Sequence, residues 1–310
     1  MTTLRRAVEE YLQLRRALGY KLKCVGSSLN SFVTFCESER TAVITADLAR
    51  RWAVSNNASQ RRMAWRLRIV RDFAIHHQAI DPRTEIPPKD LFPFQQHRKT
   101  PYLYSDVEIG QLLKAAGKLP PGQGLRHRTY PTLFGLLAAT GLRVGEALAL
   151  DNPDIDWQAG VLVVRQSKFR KSRLVPVHAS TLDRLRQYQK ARDGVHPIQK
   201  TPAFIVSERG QRLPYKTVGG IFSQLRQQLG IKGSATSRRP RIHDLRHRFA
   251  VNTLIRWYRE GVDVERCLPR LSTYLGHGDI EHTYWYLTAV PELLRLATER
   301  LEQKETHHEK

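Results

Sequence analysis

The sequence predicts a mostly α-helical protein with a small antiparallel β-sheet, and three observations lead there. Apolar residues recur at helical spacing through the first eighty or so residues, and the pattern is again helical from Lys216 to Gln303. Two β-branched runs, "GVLVVRQ" and "RLVPVH", are joined by the basic loop "SKFRKS", the pattern of a hairpin. The Pro-rich stretch "DPRTEIPPKDLFPFQQHRKTPYLYSD" separates two periodic regions as a linker would. Two domains are therefore expected: a helical one over 1–97, a linker over 98–104, a mixed one over 105–303, and a disordered tail over 304–310.

In the first domain, "LRRAVEEYLQLRRALG" places Leu4, Val8, Tyr11, Leu12, Arg15 and Leu18 on one helical period that stops at Gly19. "SSLNSFVTFCESE" offers a Ser N-cap and an apolar face of Leu29, Phe32, Val33 and Phe35. A third helix begins at the cap Thr45. The fourth, "SQRRMAWRLRIVRDFAIHHQAI", should bury Met63, Leu67, Val70, Ala74 and Ile75, while Arg61, Arg62, Arg66, Arg68 and Arg71 crowd its other faces. In the second domain, helices are expected over "SDVEIGQLLKAAGKL" and "RTYPTLFGLLAAT", with another starting near Leu142. "PAFIVSERGQRLP" is a candidate second hairpin.

Composition narrows the function. The chain has 310 residues, 41% of them hydrophobic, and a formal net charge of +22. Self-repulsion of that size favours a polyanionic partner, nucleic acid first and an anionic membrane second. No apolar run approaches the roughly 18 residues of a spanning helix. The N-terminal stretch mixes acidic residues into an amphipathic period, unlike a signal or transit peptide. Cys24, Cys36 and Cys267 are odd in number and lack CxxC spacing, which fits reduced thiols, no structural zinc and a cytoplasmic location.

Five polar elements stand out in order. Each has an ordinary explanation of its own. Arg143 opens a helix among Leu142, Val144, Ala147 and Leu148, with Glu146 three residues on to orient it; most arginines are simply solvated. Lys168 shares its hairpin loop with Arg170, Lys171 and Arg173, and a solvated basic turn is the plain alternative. His243 and Arg246 lie three apart on one helix face. His243 and His247 would suit a metal, but no third ligand follows and Arg238, Arg239, Arg241 and Arg248 would repel a cation, so no metal is expected. His277 could merely cap a helix end, and Tyr286, beside Tyr284 and Trp285, could be a core tyrosine.

Together the elements resemble the tyrosine recombinase (phage integrase) family, in particular its Xer-like members. The motifs are "TGLRVGE" with Arg143 and Glu146, "SKFRKSRLVPV" with Lys168, "HDLRH" with His243 and Arg246, "LGH" with His277, and Tyr286 nine residues later. The resemblance implies an N-terminal core-binding (SAM-like) domain and an α+β catalytic domain forming a C-shaped clamp on double-stranded DNA at a specific recombination site. It implies Tyr286 as nucleophile, leaving a 3′-phosphotyrosyl bond and a free 5′-hydroxyl, with no ATP, metal or other cofactor. Arg143 and Arg246 would clamp the phosphate oxygens, with His277 adding a hydrogen bond. His243 would accept or position the phenolic proton, nearby guanidiniums would favour phenolate, and Lys168 would protonate the leaving oxygen.

Other DNA contacts fall to Arg61, Arg62, Arg66, Arg68, Arg71, Arg170, Lys171 and Arg248. The amphipathic segment 291–303 would dock into a neighbouring protomer of a homo-tetramer. The family's lysine loop is often glycine-rich and this one is not, so Lys171 competes with Lys168. Tyr284 competes with Tyr286, although about 200° separates residues two apart on a helix. The rival functions are type IB topoisomerase-like relaxation and a non-catalytic DNA-binding accessory protein.

Overall fold

The computed structural model describes residues 3–20, 22–93, 101–120, 124–165, 172–233, 239–277, 279 and 281–308. The chain divides into two compact units, Met1–Arg98 and Lys99–Lys310.

The first unit holds α1 (Leu4–Ala17), α2 (Lys23–Ser38), α3 (Ala46–Val54) and α4 (Gln60–His77). Thr45 caps α3 by accepting from the Leu48 amide at 3.1 Å, as its sequence position suggests. The expected Ser cap of α2 is not used. That helix starts at Lys23, where Leu22 takes a left-handed conformation and turns the chain sharply. The core gathers Val8, Leu29, Phe32, Val33, Trp52, Val70 and Phe73, all buried. Truncating an aromatic such as Phe73 to Ala would cost roughly 3–5 kcal/mol through lost transfer energy and the cavity left behind. The inner stripe of α4 is Leu67, Ile69, Val70, Phe73, Ala74 and His77 rather than the expected set, because Met63 is only half-buried and Ile75 is exposed.

The second unit opens with α5 (Asp106–Ala116), entered through a reciprocal capping box between Ser105 and Glu108. Tyr104, assigned by sequence to the linker, is buried in this unit's core. Next come α6 (Arg126–Thr140), α7 (Val144–Ala149) and an antiparallel sheet of β1 (Ile155–Asp156), β2 (Val161–Val164) and β3 (Arg173–Pro176), in the order β1-β2-β3. Leu162 faces Val175, and Val164 faces Arg173, where the pairing ends. The register buries Leu162, Val164 and Val175.

After the sheet lies α8 (Ala179–Val195), to which the sequence patterns above assign no helix. Its inner face is short of large aliphatics: Leu182, Leu185, Tyr188 and the buried Arg192. The "PAFIVSERGQRLP" segment folds back on itself as a minimal hairpin too short to form regular strands, with the Ser207 amide on the Gln211 carbonyl at 2.8 Å. Two isolated bridges, Asp151 with Ala203 and Val206 with Arg212, hold it.

The remaining helices are α9 (Tyr215–Gln228), α10 (Asp244–Arg259), α11 (Val264–Leu275), α12 (Glu281–Ala289) and α13 (Pro291–His308). The last continues past the expected end at Gln303, since "KETHH" contains no helix breaker. One core lies among α5, α6, α8, α9 and the sheet. A second, with Val251, Leu254, Leu268, Leu275, Tyr286 and Leu293, lies among α10 to α13. Among the described residues no helix is long and apolar enough to cross a membrane.

Candidate active site

The site is built around the end of α11. That helix closes at Gly276 (φ 67°), with the His277 amide bonded to the Ser272 carbonyl and the Gly276 amide to that of Thr273. The next three carbonyls, of Tyr274, Leu275 and Gly276, would otherwise lack partners. Three arginines from distant segments satisfy them. Arg173 of β3 donates Nε–H to Tyr274 at 2.8 Å. Arg246 of α10 donates to Leu275 at 2.7 Å. Arg143, at the N-cap of α7, donates to Gly276 at 2.9 Å. Cations at a helix C-terminus also complement its dipole.

Glu146 ties this set together. Its carboxylate accepts from Arg143 Nη1 at 2.7 Å, from the Arg143 amide at 3.0 Å, and from both terminal nitrogens of Arg173 at 3.1 and 2.8 Å. Burial alone would raise its pKa, but the hydrogen bonds and charges of Arg173 and Arg143 prevail and hold it at about 2. Arg246 makes a second tie, donating to the Gly141 carbonyl at 2.8 Å. Burial and the charge of Arg143 push Arg246 down to about 10, which leaves it cationic at neutral pH. Arg143 keeps 28% of its side chain open to solvent while Arg246 is buried, so the two could grip a bound anion from its rim and from beneath.

Tyr286 of α12 lies against this cluster. It is buried and Tyr284 is exposed, so the two tyrosines point apart as helical geometry requires. The Tyr286 hydroxyl is 3.1 Å from Nδ1 of His247. The His277 ring stacks near the phenol with centroids 6.3 Å apart, and its Nδ1 is fixed 2.7 Å from Oγ1 of the buried Thr283. Burial raises the Tyr286 pKa and outweighs the pull of Arg246 and Arg143. The guanidiniums do favour phenolate, as expected, but burial is the larger effect, so the phenol stays neutral. His243 sits at the N-cap of α10, exposed, with its ring 5.0 Å from and nearly perpendicular to that of His247. Although part of the residue is open to solvent, its imidazole sits in the cleft beside His247, and desolvation there, then Arg246, Arg241 and Arg143, push His243 down to about 4.

The structure thus brings Arg143, Glu146, Arg246, His277 and Tyr286 together and sets His243 beside them. Lys168, Arg170 and Lys171 lie outside the described residues, between the described ends of β2 and β3. Two expected DNA contacts are corrected. Arg66 is buried, and its guanidinium reaches the carbonyls of Trp52, Ala53 and Ser55 at the end of α3, so it serves the fold. Arg248 is turned inward onto the Tyr104 carbonyl and Asp106. Arg71 bonds the Pro87 carbonyl while half-buried. Arg61, Arg62 and Arg68 are exposed. Among the described residues no group of three or more His, Cys, Asp or Glu could hold a metal.

Sequence reasoning passed over Arg173, His247 and Thr283 as parts of the site. Arg173 looked like one more cation of a basic loop. His247 had a signal, its i, i+3 spacing from Asp244 on the helix that carries Arg246. Thr283 had none.

Comparison with known proteins points to the same family as the motifs. The phage integrase family matches residues 103–292. A Sinorhizobium fredii protein named as an integrase/recombinase is 47% identical over 98% of each chain. Tyrosine recombinase XerC of Chlamydia caviae is 30% identical, over 68% of this chain and 58% of its own. Among solved structures, the fold is similar to that of the Tn1549 transposon integrase in complex with transposon right-end DNA, at a TM-score of 0.64 and 17% identity over 97% and 99% of the two chains. It is also similar to the XerA recombinase, at a TM-score of 0.52 and 24% identity over 96% and 97%. The resemblance carried by five short motifs is therefore borne out, and the chain belongs to the phage integrase family of tyrosine recombinases.

Proposed function

We propose that this chain is a site-specific recombinase that cuts and rejoins duplex DNA through Tyr286. The phenolic oxygen attacks the scissile phosphorus, the P–O5′ bond breaks, and a 3′-phosphotyrosyl link conserves the bond energy for rejoining to another 5′-hydroxyl. Arg143 and Arg246 face the non-bridging oxygens, where charge builds in the transition state, and His277 adds a donor. Each such donor is worth roughly a hundred-fold or more in rate. His243 stands at the mouth of the site, and Lys168 is assigned the protonation of the leaving oxygen. Glu146 and Arg173 position the clamp and do not touch substrate.

One observation carries this reading. The hydroxyl of a buried tyrosine lies against His247 and Arg246 of α10 and within the charge of Arg143 at the start of α7, side chains that suit a phosphodiester. A structural tyrosine would not need one buried arginine, one half-buried arginine and two histidines around it. The exposed Arg61, Arg62 and Arg68 of α4 supply phosphate contacts from the first unit. Assembly as a tetramer on DNA through α13, and action inside the cell, belong to the same proposal. The integrases compared above include one solved in complex with DNA, and another neighbour is a lambda integrase tetramer bound to a Holliday junction.

The test is covalent capture. The protein is incubated with a library of nicked duplexes, denatured, and the retained strands are sequenced. An adduct whose 3′-phosphate maps to Tyr286, absent in Tyr286→Phe, supports the proposal. Adduct at Tyr284, or strand relaxation of any plasmid by monomers, would replace it with the rival nucleophile or with a topoisomerase.

A further inference from the structure

We propose that His247 takes the phenolic proton of Tyr286 as the nucleophile attacks, with Asp244 steadying the far side of its imidazole. This rests on the reading of Tyr286 as the nucleophile and assigns a base to it. His243, the residue that the motif pattern singles out, packs against the ring of His247 rather than against the phenol. His247 meets the phenol directly, through Nδ1 at 3.1 Å.

Asp244 biases the tautomer through its charge, at a distance beyond hydrogen bonding. Nε2 of His247 lies 3.8 Å from Oδ1 of Asp244, a fully buried carboxylate fixed by the Arg241 amide at 2.7 Å and the Arg241 guanidinium at 3.1 Å. A negative charge there favours the ring proton on Nε2, which leaves the Nδ1 lone pair aimed at the phenol. Asp244 and His247 are neighbours on one turn of α10, so the arrangement needs no movement of chain. Trp285 closes the other edge of the imidazole with centroids 5.6 Å apart.

In the cleavage step the bond from Oη of Tyr286 to phosphorus forms and the P–O5′ bond breaks. The phenolic proton passes to Nδ1 of His247, and the departing 5′-oxygen takes its proton from the general acid of the hairpin loop. In rejoining, the same proton returns to the phenol from the imidazolium.

The surroundings explain why this does not happen without DNA. His247 faces His243, Arg246 and Asp244 on its own helix, Arg241 just before it, His277 from the end of α11, and Tyr286 and Trp285 from α12. All the charges but that of Asp244 are positive. Burial and these neighbours hold the imidazole at about 3, while burial raises the phenol, so the resting pair is neutral. A phosphodiester seated against Arg143 and Arg246 adds negative charge where the field is most positive. That charge raises the proton affinity of His247 from its low resting value.

The experiment is single-turnover cleavage of a nicked duplex carrying the captured site, with either oxygen or sulfur at the 5′-bridging position. His247→Asn keeps a hydrogen-bond acceptor but cannot take a proton, and His247→Ala removes both. Both variants should form adduct about 10²- to 10⁴-fold more slowly, with DNA binding by anisotropy unchanged. Bridging sulfur should rescue neither, since it relieves only the leaving group. The wild-type rate should rise with pH along an acidic limb that His247→Asn lacks. Wild-type rates in His247→Asn would show that the residue only holds the phenol, and sulfur rescue of His247→Ala would move it to the leaving-group side; either overturns the proposal. If wild type gives no adduct, or Tyr286→Phe still gives one, the nucleophile assignment fails instead.

Discussion

Arg173 and Glu146 form a two-pronged pair, Nη1 to Oε1 at 3.1 Å and Nη2 to Oε2 at 2.8 Å, with both side chains only 8% exposed. The pair joins the first residue of β3 to the helix that Arg143 opens, and the Nε of the same arginine holds the end of α11. Replacing Arg173 by Met would leave Glu146 with Arg143 alone and the Tyr274 carbonyl unpaired. Breaking one partner of a buried pair costs roughly 3–5 kcal/mol. Urea unfolding should show that loss in Arg173→Met. Arg173→Lys, which keeps the charge but not the fork, should lose less. Equal midpoints for wild type and Arg173→Met would contradict the role assigned here.

Acid stability should fall in two stages. His243 and His247 are held near 4 and 3 in the folded chain, below the ordinary value of 6.5. From about pH 6.5 downward the unfolded chain therefore binds more protons than the folded one, and stability drops until the folded values are reached. Glu146, held at about 2 against an ordinary 4.5, contributes stability that is complete above pH 4.5 and lost as pH falls towards 2. Unfolding midpoints measured from pH 7.5 to 4.5 should decline, and the decline should be shallower in His247→Asn. A flat profile across that window would contradict the neutral histidines.

Much of this molecule could be read from the chain because the signals were local. Periodicity located α1, α4, α5 and α6, and the Thr45 cap and the β2–β3 hairpin are sequence-adjacent features. The five motifs identified the family since their order survives without any three-dimensional information. What was not legible depends on partners far apart in sequence. Arg66 and Arg61 look alike in "SQRRMAWR", and only the end of α3, eleven to fourteen residues earlier, draws Arg66 inward. Arg173 is one of several cations in a row until the α11 carbonyls claim it, 101 residues later. α8 is not legible in the sequence because its inner face ends in an arginine that stacks on Phe204 and bonds Asn152, in place of a further aliphatic.

The two kinds of arginine on α4 can be told apart by measurement. Arg66→Ala would leave the last carbonyls of α3 without a charged donor, for a loss of roughly 2–3 kcal/mol, and should lower the melting temperature with little change in DNA affinity per folded molecule. Arg61→Ala with Arg62→Ala should leave the melting temperature alone and flatten the dependence of DNA affinity on salt, by about one unit of slope for each phosphate no longer neutralised. A salt slope unchanged in that double variant would remove α4 from the DNA interface.

Gly141 should resist replacement. It ends α6 in a left-handed conformation (φ 62°), and its carbonyl accepts from Arg246 at 2.8 Å. A Cβ there would lie 2.6 Å from Cδ1 of Phe249 and 3.1 Å from Cδ2 of Leu275. Phe249 is stacked on Tyr274 with centroids 5.5 Å apart, so it has little freedom to retreat. Gly230 is the control: it follows α9 with φ 65° and nothing within 4 Å of its added Cβ. Gly230→Ala should cost only the conformational penalty, about 1–2 kcal/mol, and Gly230→Asn less, since Asn tolerates that region. Gly141→Ala should cost more than Gly230→Ala, and Gly141→Asn should give no relief because the clash is steric. Adduct formation by folded Gly141→Ala should also fall, as the displaced carbonyl lets Arg246 shift beneath the phosphate. Matching losses at the two glycines in thermal unfolding would mean that Phe249 yields and that the clash does not set the cost.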